Sequence, residues 1–161
     1  MSGVVAGLIG SVKAGSTPAP TNLVTNPSFS VNLNGWINST NPVRDTSVFR
    51  SSPASLNTSF DGENSPYAYY FQDTSLTIGQ RYSLSFWLRN ADLPRTYQID
   101  FLGSSTTTSL LGTSTDWQYF KFENVLATST QIVVAIYPTD IFIGQFNIDD
   151  VSVVLGATAT P

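Results

Sequence analysis

The sequence predicts an all-β fold, a jelly-roll β-sandwich preceded by a short apolar N-terminal arm. Three observations carry the prediction. Short runs alternate between apolar and polar residues or are rich in β-branched and aromatic residues. Turn signals separate them, at Asn41-Pro42, Ser52-Pro53, Asp61-Gly62, Ile78-Gly79, Leu93-Pro94, Gly103 and Gly112. Between these signals no stretch of helical period is long enough for an ordinary globular helix.

The arm comes first. Residues 1–15 place Val4, Val5, Leu8, Ile9 and Val12 at the spacing of one helical face. Gly3, Gly7 and Gly10 weaken such a helix by up to about 1 kcal/mol each relative to alanine, and they permit close backbone approach to a partner. A secretory signal does not fit, because the segment's charge, Lys13, follows the apolar residues rather than preceding them. A membrane span needs about 20 apolar residues, more than the arm holds. An apolar stripe of this kind calls for a partner surface. Docking on another subunit is therefore the expectation.

Residues 16–21, with Ser16-Thr17-Pro18-Ala19-Pro20, read as a stiff Pro-rich linker. The sandwich is expected over 22–155, with a small-residue flexible tail at 156–161. Its candidate strands are 22–24, 43–49, 54–60, 67–72, 82–88, 97–102, 117–122, 131–137 and 146–155, a number and spacing that suit a sandwich. Alternation assigns faces. Tyr82, Leu84, Phe86 and Leu88 should point inward, leaving Ser83, Ser85, Trp87 and Arg89 outward. Tyr97, Ile99 and Phe101 point one way, Gln98 and Asp100 the other. Ile132, Val134 and Ile136 are core candidates, and Ile148 with either Val151 or Val153 closes the sandwich. Trp36 and Trp117 are expected to plug the two ends of the core.

Composition narrows the chemistry. A chain of 161 residues suits one domain, and at that size roughly 70% of the unfolded surface can be buried without a disulfide or metal staple. There is no cysteine and no histidine, so thiol nucleophiles, histidine bases and the commonest transition-metal ligand are all missing. Seven Lys/Arg are scattered against eleven Asp/Glu, for a net charge of −4, which does not suit nucleic acid. No carboxylate pair stands out for glycosidase work. Asp61 and Glu63 lie in a turn, and adjacent Asp149 and Asp150 should point to opposite faces of a regular strand. The chain is expected not to be an enzyme and to need no cofactor.

Four stretches then agree, in order and spacing, with a known pattern. They are Asn22-Leu23-Val24-Thr25-Asn26-Pro27-Ser28-Phe29 followed by Gly35-Trp36, then Gly79-Gln80-Arg81-Tyr82-Ser83-Leu84-Ser85-Phe86-Trp87, Trp117-Gln118-Tyr119-Phe120, and Ile148-Asp149-Asp150-Val151-Ser152-Val153. Over residues 22–155 the chain resembles the calcium-containing jelly-roll carbohydrate-binding modules. In that pattern an acidic residue commonly follows Asn-Pro-x-Phe and helps to hold a structural calcium; here that position is Ser30. The resemblance implies that Asp149 or Asp150 would contribute to such an ion, with carbonyl oxygens completing the shell. The plainer alternative is that the Asp pair accepts hydrogen bonds from backbone near the closing strand.

Two functions follow. The outward Trp87, with Arg89, Gln98, Asp100 and Tyr137, and with Tyr69 and Tyr70 as further candidates, would make a glycan-binding face. Against this, large aromatics are usually buried or at interfaces, so packing of Trp87 under a loop or against a sister subunit is the favoured expectation. The apolar arm, Pro-rich hinge and lone β-module resemble bacteriophage virion components. In these a short peptide docks on a neighbouring subunit. The leading expectation is a non-enzymatic virion protein, a capsid-decorating (cement) or tail-associated subunit, partnered by other virion proteins and favouring a homo-trimer. The alternative is a carbohydrate-binding module recognising a glycan, such as one on a host surface.

Overall fold

Tyr82, Leu84, Phe86 and Leu88 all lie in the protein interior, as their alternation requires, and the strand carrying them is flanked on both sides within one sheet. The structure is a computed structural model. It describes residues 19–37, 42–51, 53–61, 68–72, 76–91, 95–102, 104–109, 116–139 and 143–156. The arm residues Val4, Val5, Leu8, Ile9 and Val12 lie outside the described residues.

The strands are β1 (Trp36–Ile37), β2 (Val43–Asp45), β3 (Ser55–Asp61), β4 (Ala68–Gln72), β5 (Arg81–Asn90), β6 (Thr96–Phe101), β7 (Ser104–Ser109), β8 (Gln118–Leu126), β9 (Ile132–Pro138) and β10 (Ile143–Leu155). They form two five-stranded sheets, β1-β4-β9-β6-β7 and β2-β3-β10-β5-β8. Every pairing between them is antiparallel. The fold is the expected jelly-roll sandwich.

The core lies between the inner faces. Tyr97, Ile99 and Phe101 of β6 and Ile132, Val134 and Ile136 of β9 meet Leu84, Phe86, Phe146 and Ile148 from the other sheet, all buried. Across the gap the Tyr97 and Phe146 rings stand edge to face with centroids 5.4 Å apart, a preferred aromatic geometry. Trp36 is 5% exposed and packs with Phe29 at 5.2 Å and Tyr70 at 5.1 Å. It closes one end of the core. Trp117 is only partly buried.

Three differences from the expected strands have local causes. The run 43–49 is a strand only as far as Asp45. There the carboxylate accepts hydrogen bonds from the backbone N–H groups of Ser47 at 2.8 Å and Val48 at 3.0 Å, an Asx turn that ends the ladder. β7 has no apolar signature at all: Ser104–Ser109 reads SSTTTS. The stretch 22–24 is not a regular strand, yet Leu23 N–H donates to the Val153 carbonyl at 2.8 Å. It thus continues beside β10 beyond the last β3 pairing, Leu56 with Ile148.

Candidate functional site

The residues first grouped as one glycan face divide between the two sheets. Trp87 and Arg89 lie on the outer face of the sheet built on β5 and β10. Gln98 and Asp100 lie on β6, in the other sheet, with Tyr137 of β9 the ladder partner of Gln98. Outer faces of a sandwich look away from each other, so these groups cannot meet on one ligand. Alternation along each strand identified the outward residues, but alternation carries no information on which sheet a strand joins. Tyr70 is corrected too. It is fully buried, and its hydroxyl accepts a hydrogen bond from the Thr25 N–H at 3.1 Å. Tyr69 precedes it and pairs with Ala135.

On the first outer face a loop covers the tryptophan. Residues 46–54 run from β2 to β3 and place the Arg50 guanidinium 4.0 Å from the centroid of the Trp87 ring. Tyr119, the ladder partner of Trp87 on β8, packs at 5.3 Å. Trp87 Nε1, Arg89 Nε and the Tyr119 hydroxyl are buried without a hydrogen-bond partner, although the three residues as wholes are only half-buried. Beside it runs a polar network. Asn57 Nδ2 donates to Gln145 Oε1 at 2.9 Å, and Asn147 Nδ2 donates to Ser55 Oγ at 2.9 Å and Asp45 Oδ2 at 3.2 Å. Burial works against the Asp45 charge, but the hydrogen bonds from Ser47, Val48 and Asn147 hold its carboxyl below the ordinary value.

Asp149 and Asp150 do not point to opposite faces. The β10–β5 register shifts between Asp149 and Ser152, and Asp150 has φ +50°. This bulge, with one extra residue on β10, turns both carboxylates toward the same loop. It also explains why Val151 and Val153 share the interior with Ile148, an odd number of residues before them. Asp149 Oδ2 accepts from the N–H groups of Arg50 at 2.9 Å and Ser51 at 3.0 Å, and its Oδ1 accepts from the Asp150 N–H at 2.8 Å. Burial, against the pull of the Ser51 hydrogen bond and with the Asp150 charge alongside, pushes the Asp149 carboxyl up to about 6. Asp150 Oδ2 pairs with Arg50 Nη1 at 2.6 Å, and its Oδ1 accepts from the Ser51 hydroxyl. An open cavity of about 430 Å³ adjoins this cluster, lined by Asn22, Pro27, Ser28, Arg50, Ser51, Asp150, Val151 and Ser152.

The structural calcium implied by the resemblance does not fit these residues. A hard cation needs six to eight oxygens, several of them charged. Both Asp149 oxygens are taken by backbone donors and both Asp150 oxygens by Arg50 and Ser51. The Phe29 carbonyl accepts from Arg44 Nε at 2.6 Å, and the Ser30 carbonyl accepts from Arg44 Nη2. Among the described residues no group of three or more acidic side chains is placed to hold a metal ion.

The second outer face differs in kind. Of the residues in β1, β4, β6, β7 and β9, only Asp100 is charged. Gln98 and Asp100 are partly exposed there, with Gln98 Nε2 donating to Asp100 Oδ1 at 3.3 Å. The ladder extends the row from Tyr137 through Gln98 to Thr107, and a second row from Tyr69 through Ala135 and Asp100 to Ser105. Gln98 and Asp100 thus set an amide and a carboxylate side by side on this face.

No protein-family model and no curated protein sequence matches the chain. Solved structures do share its fold. The CBM22-1 xylan-binding domain from Paenibacillus barcinonensis Xyn10C aligns over 89% of this chain and 100% of its own, with a TM-score of 0.69 and 13% identity. TmCBM61, solved in complex with β-1,4-galactotriose, aligns over 84% of this chain and 99% of its own, with a TM-score of 0.60 and 17% identity. The enzymatically active domain of bacteriophage CBA120 tailspike protein 4 aligns over 83% of this chain but only 21% of its own, with a TM-score of 0.62 and 16% identity.

Proposed function

We propose that this chain is a non-catalytic carbohydrate-binding module whose ligand lies across the outer face of the β1-β4-β9-β6-β7 sheet. The observation that carries the reading is the contrast between the two outer faces. On one, the aromatic ring that a sugar would stack on, Trp87, is already covered by the Arg50 guanidinium. The other carries Gln98 and Asp100 partly exposed, in ladder rows with Tyr69, Tyr137, Ser105 and Thr107. Sugar recognition needs that mixture, since aromatic surface covers the apolar side of a pyranose and amide, carboxylate and hydroxyl groups bond its hydroxyls. The fold likeness to a xylan-binding domain and to a module solved with a galactotriose supports the same reading.

The charge pattern narrows the ligand class. With Asp100 the single charge in these strands and no Lys or Arg among them, the face suits a neutral glycan and would repel uronates or sulfated sugars. Affinity electrophoresis in gels of neutral and of acidic polysaccharides tests this. A neutral polymer should retard the protein, and Gln98→Ala or Asp100→Ala should weaken retention by about tenfold, the worth of one or two hydrogen bonds. Binding that survives both substitutions, or an absence of retardation by any neutral polymer, would refute it.

A second reading sets this module on a virus particle, as a capsid-decorating or tail-associated subunit held by the arm with Val4, Val5, Leu8, Ile9 and Val12. The fold likeness to part of a phage tailspike favours that setting. Mass spectrometry of purified particles, with and without the arm deleted from the gene, tests it.

A further inference from the structure

We infer that the guanidinium groups of Arg44 and Arg50 do the work of a structural cation in this chain, so that its fold is independent of calcium. The place to look is where the loop after Phe29, the 46–54 loop and the β10 bulge converge. Two features there need to be held, a pair of like charges and a strained turn. Asp149 is completely buried and Asp150 is 20% exposed, adjacent carboxylates whose mutual repulsion a desolvated site magnifies. Phe29 holds left-handed backbone, at φ +52°, an unfavourable state for a bulky residue that the surroundings must enforce.

Arginine meets both needs with fixed geometry. Arg50 Nη1 lies 2.6 Å from Asp150 Oδ2 while the same guanidinium rests on the Trp87 ring, and its own backbone N–H joins that of Ser51 on Asp149. Arg44 grips two successive carbonyls, Phe29 by Nε and Ser30 by Nη2. The second of these belongs to the position where the resembling modules carry an acidic metal ligand. A planar, permanently charged fork can bond two acceptors at once and stack on an aromatic ring. The oxygens a divalent ion would use are thereby already bonded to donors.

The experiment is thermal unfolding of the full chain in chelator and in millimolar calcium, with calorimetric titration of calcium alone as the probe. The midpoint should be the same in both, and the titration should show no saturable heat. A saturable rise of the midpoint with calcium, the signature of a ligand bound by the folded state, would overturn the inference. So would stoichiometric calcium in the purified protein by elemental analysis. Arg50→Met and Arg44→Met should each lower the midpoint by about 5 °C or more, and adding Asp150→Asn to Arg50→Met should recover part of the loss. Should a methionine variant fail to fold, Arg50→Lys decides. It keeps the charge without the fork and should melt between wild type and the unfolded variant. Methionine variants that melt with the wild type would also overturn the inference.

Discussion

The guanidinium carbon of Arg50 sits 4.0 Å from the centre of the Trp87 ring, on a face that a stacked sugar would have to use. Tyr119 packs at 5.3 Å with the two ring planes inclined by 45°. Trp87 is thus a packing residue, and its contribution is to stability. Trp87→Ala should cost about 2 kcal/mol or more through lost ring burial and the cation–π contact, read by urea unfolding. Retention on a neutral polysaccharide gel should not change. A folded Trp87→Ala protein that had lost retention would return the binding site to this sheet.

Gly35 sits against Tyr70. Its φ is +88°, and a Cβ placed on it would come 3.0 Å from Tyr70 Cε2. Tyr70 cannot give way easily, being fully buried with its hydroxyl held by the Thr25 N–H. Gly35→Ala therefore combines left-handed strain with a clash and should cost about 2–4 kcal/mol. Gly79→Ala supplies the control. At φ +84° nothing lies within 4 Å of an added Cβ, so strain alone remains and the cost should be about 1 kcal/mol. Equal effects in a denaturation series would contradict the clash.

The Asp149 carboxyl makes stability depend on pH with an unusual sign. Its folded value is about 6, raised above the ordinary 3.8, so the folded chain holds this proton more tightly than the unfolded chain. The contribution is therefore full below the unfolded value and is lost as pH rises through about 6. Asp45, with its value lowered, acts oppositely, and its contribution is lost as the solution becomes acid. Urea unfolding from about pH 4 to 7 should show wild type losing stability relative to Asp149→Asn by up to about 3 kcal/mol. Curves that stay parallel across that range would show that Asp149 does not titrate there.

What the sequence disclosed depended on whether a residue's neighbours in the chain decide its fate. Strand β5 was legible because Tyr82, Leu84, Phe86 and Leu88 recur at the two-residue period of a strand, although the intervening Ser83 and Ser85 are buried as well. β7 was not legible. Six serines and threonines carry no inward preference, and the strand exists because β6 offers it an open edge from Phe101 to Thr96. The bulge at Asp150 was equally hidden, since an Asp-Asp pair in a strand gives no local cue to left-handed backbone. The division of Trp87 from Gln98 is a matter of topology. Adjacent strands in sequence, β5 and β6, join different sheets, and neither run announces the crossover.

The arm gives the last prediction, from the hydrogen bonds that follow it among the described residues. Leu23 N–H donates to the Val153 carbonyl, and Asn22 bonds Val151 and Val153 through its side chain. Residues 22 and 23 are thus already woven into the edge of β10, while Val4, Val5, Leu8, Ile9 and Val12 lie before the Pro-rich linker. Deleting residues 1–15 should leave the thermal midpoint within about 2 °C of the full chain, a difference equivalent to under 1 kcal/mol at this size. Retention on neutral polysaccharide should persist as well. On the virion reading proposed above, what should be lost is incorporation into the particle, because a few hundred Å² of apolar burial would supply the several kcal/mol that docking needs. A truncated chain that still assembles would remove the arm's role while leaving the glycan site intact. One that unfolds would show that the arm belongs to the sandwich's own core.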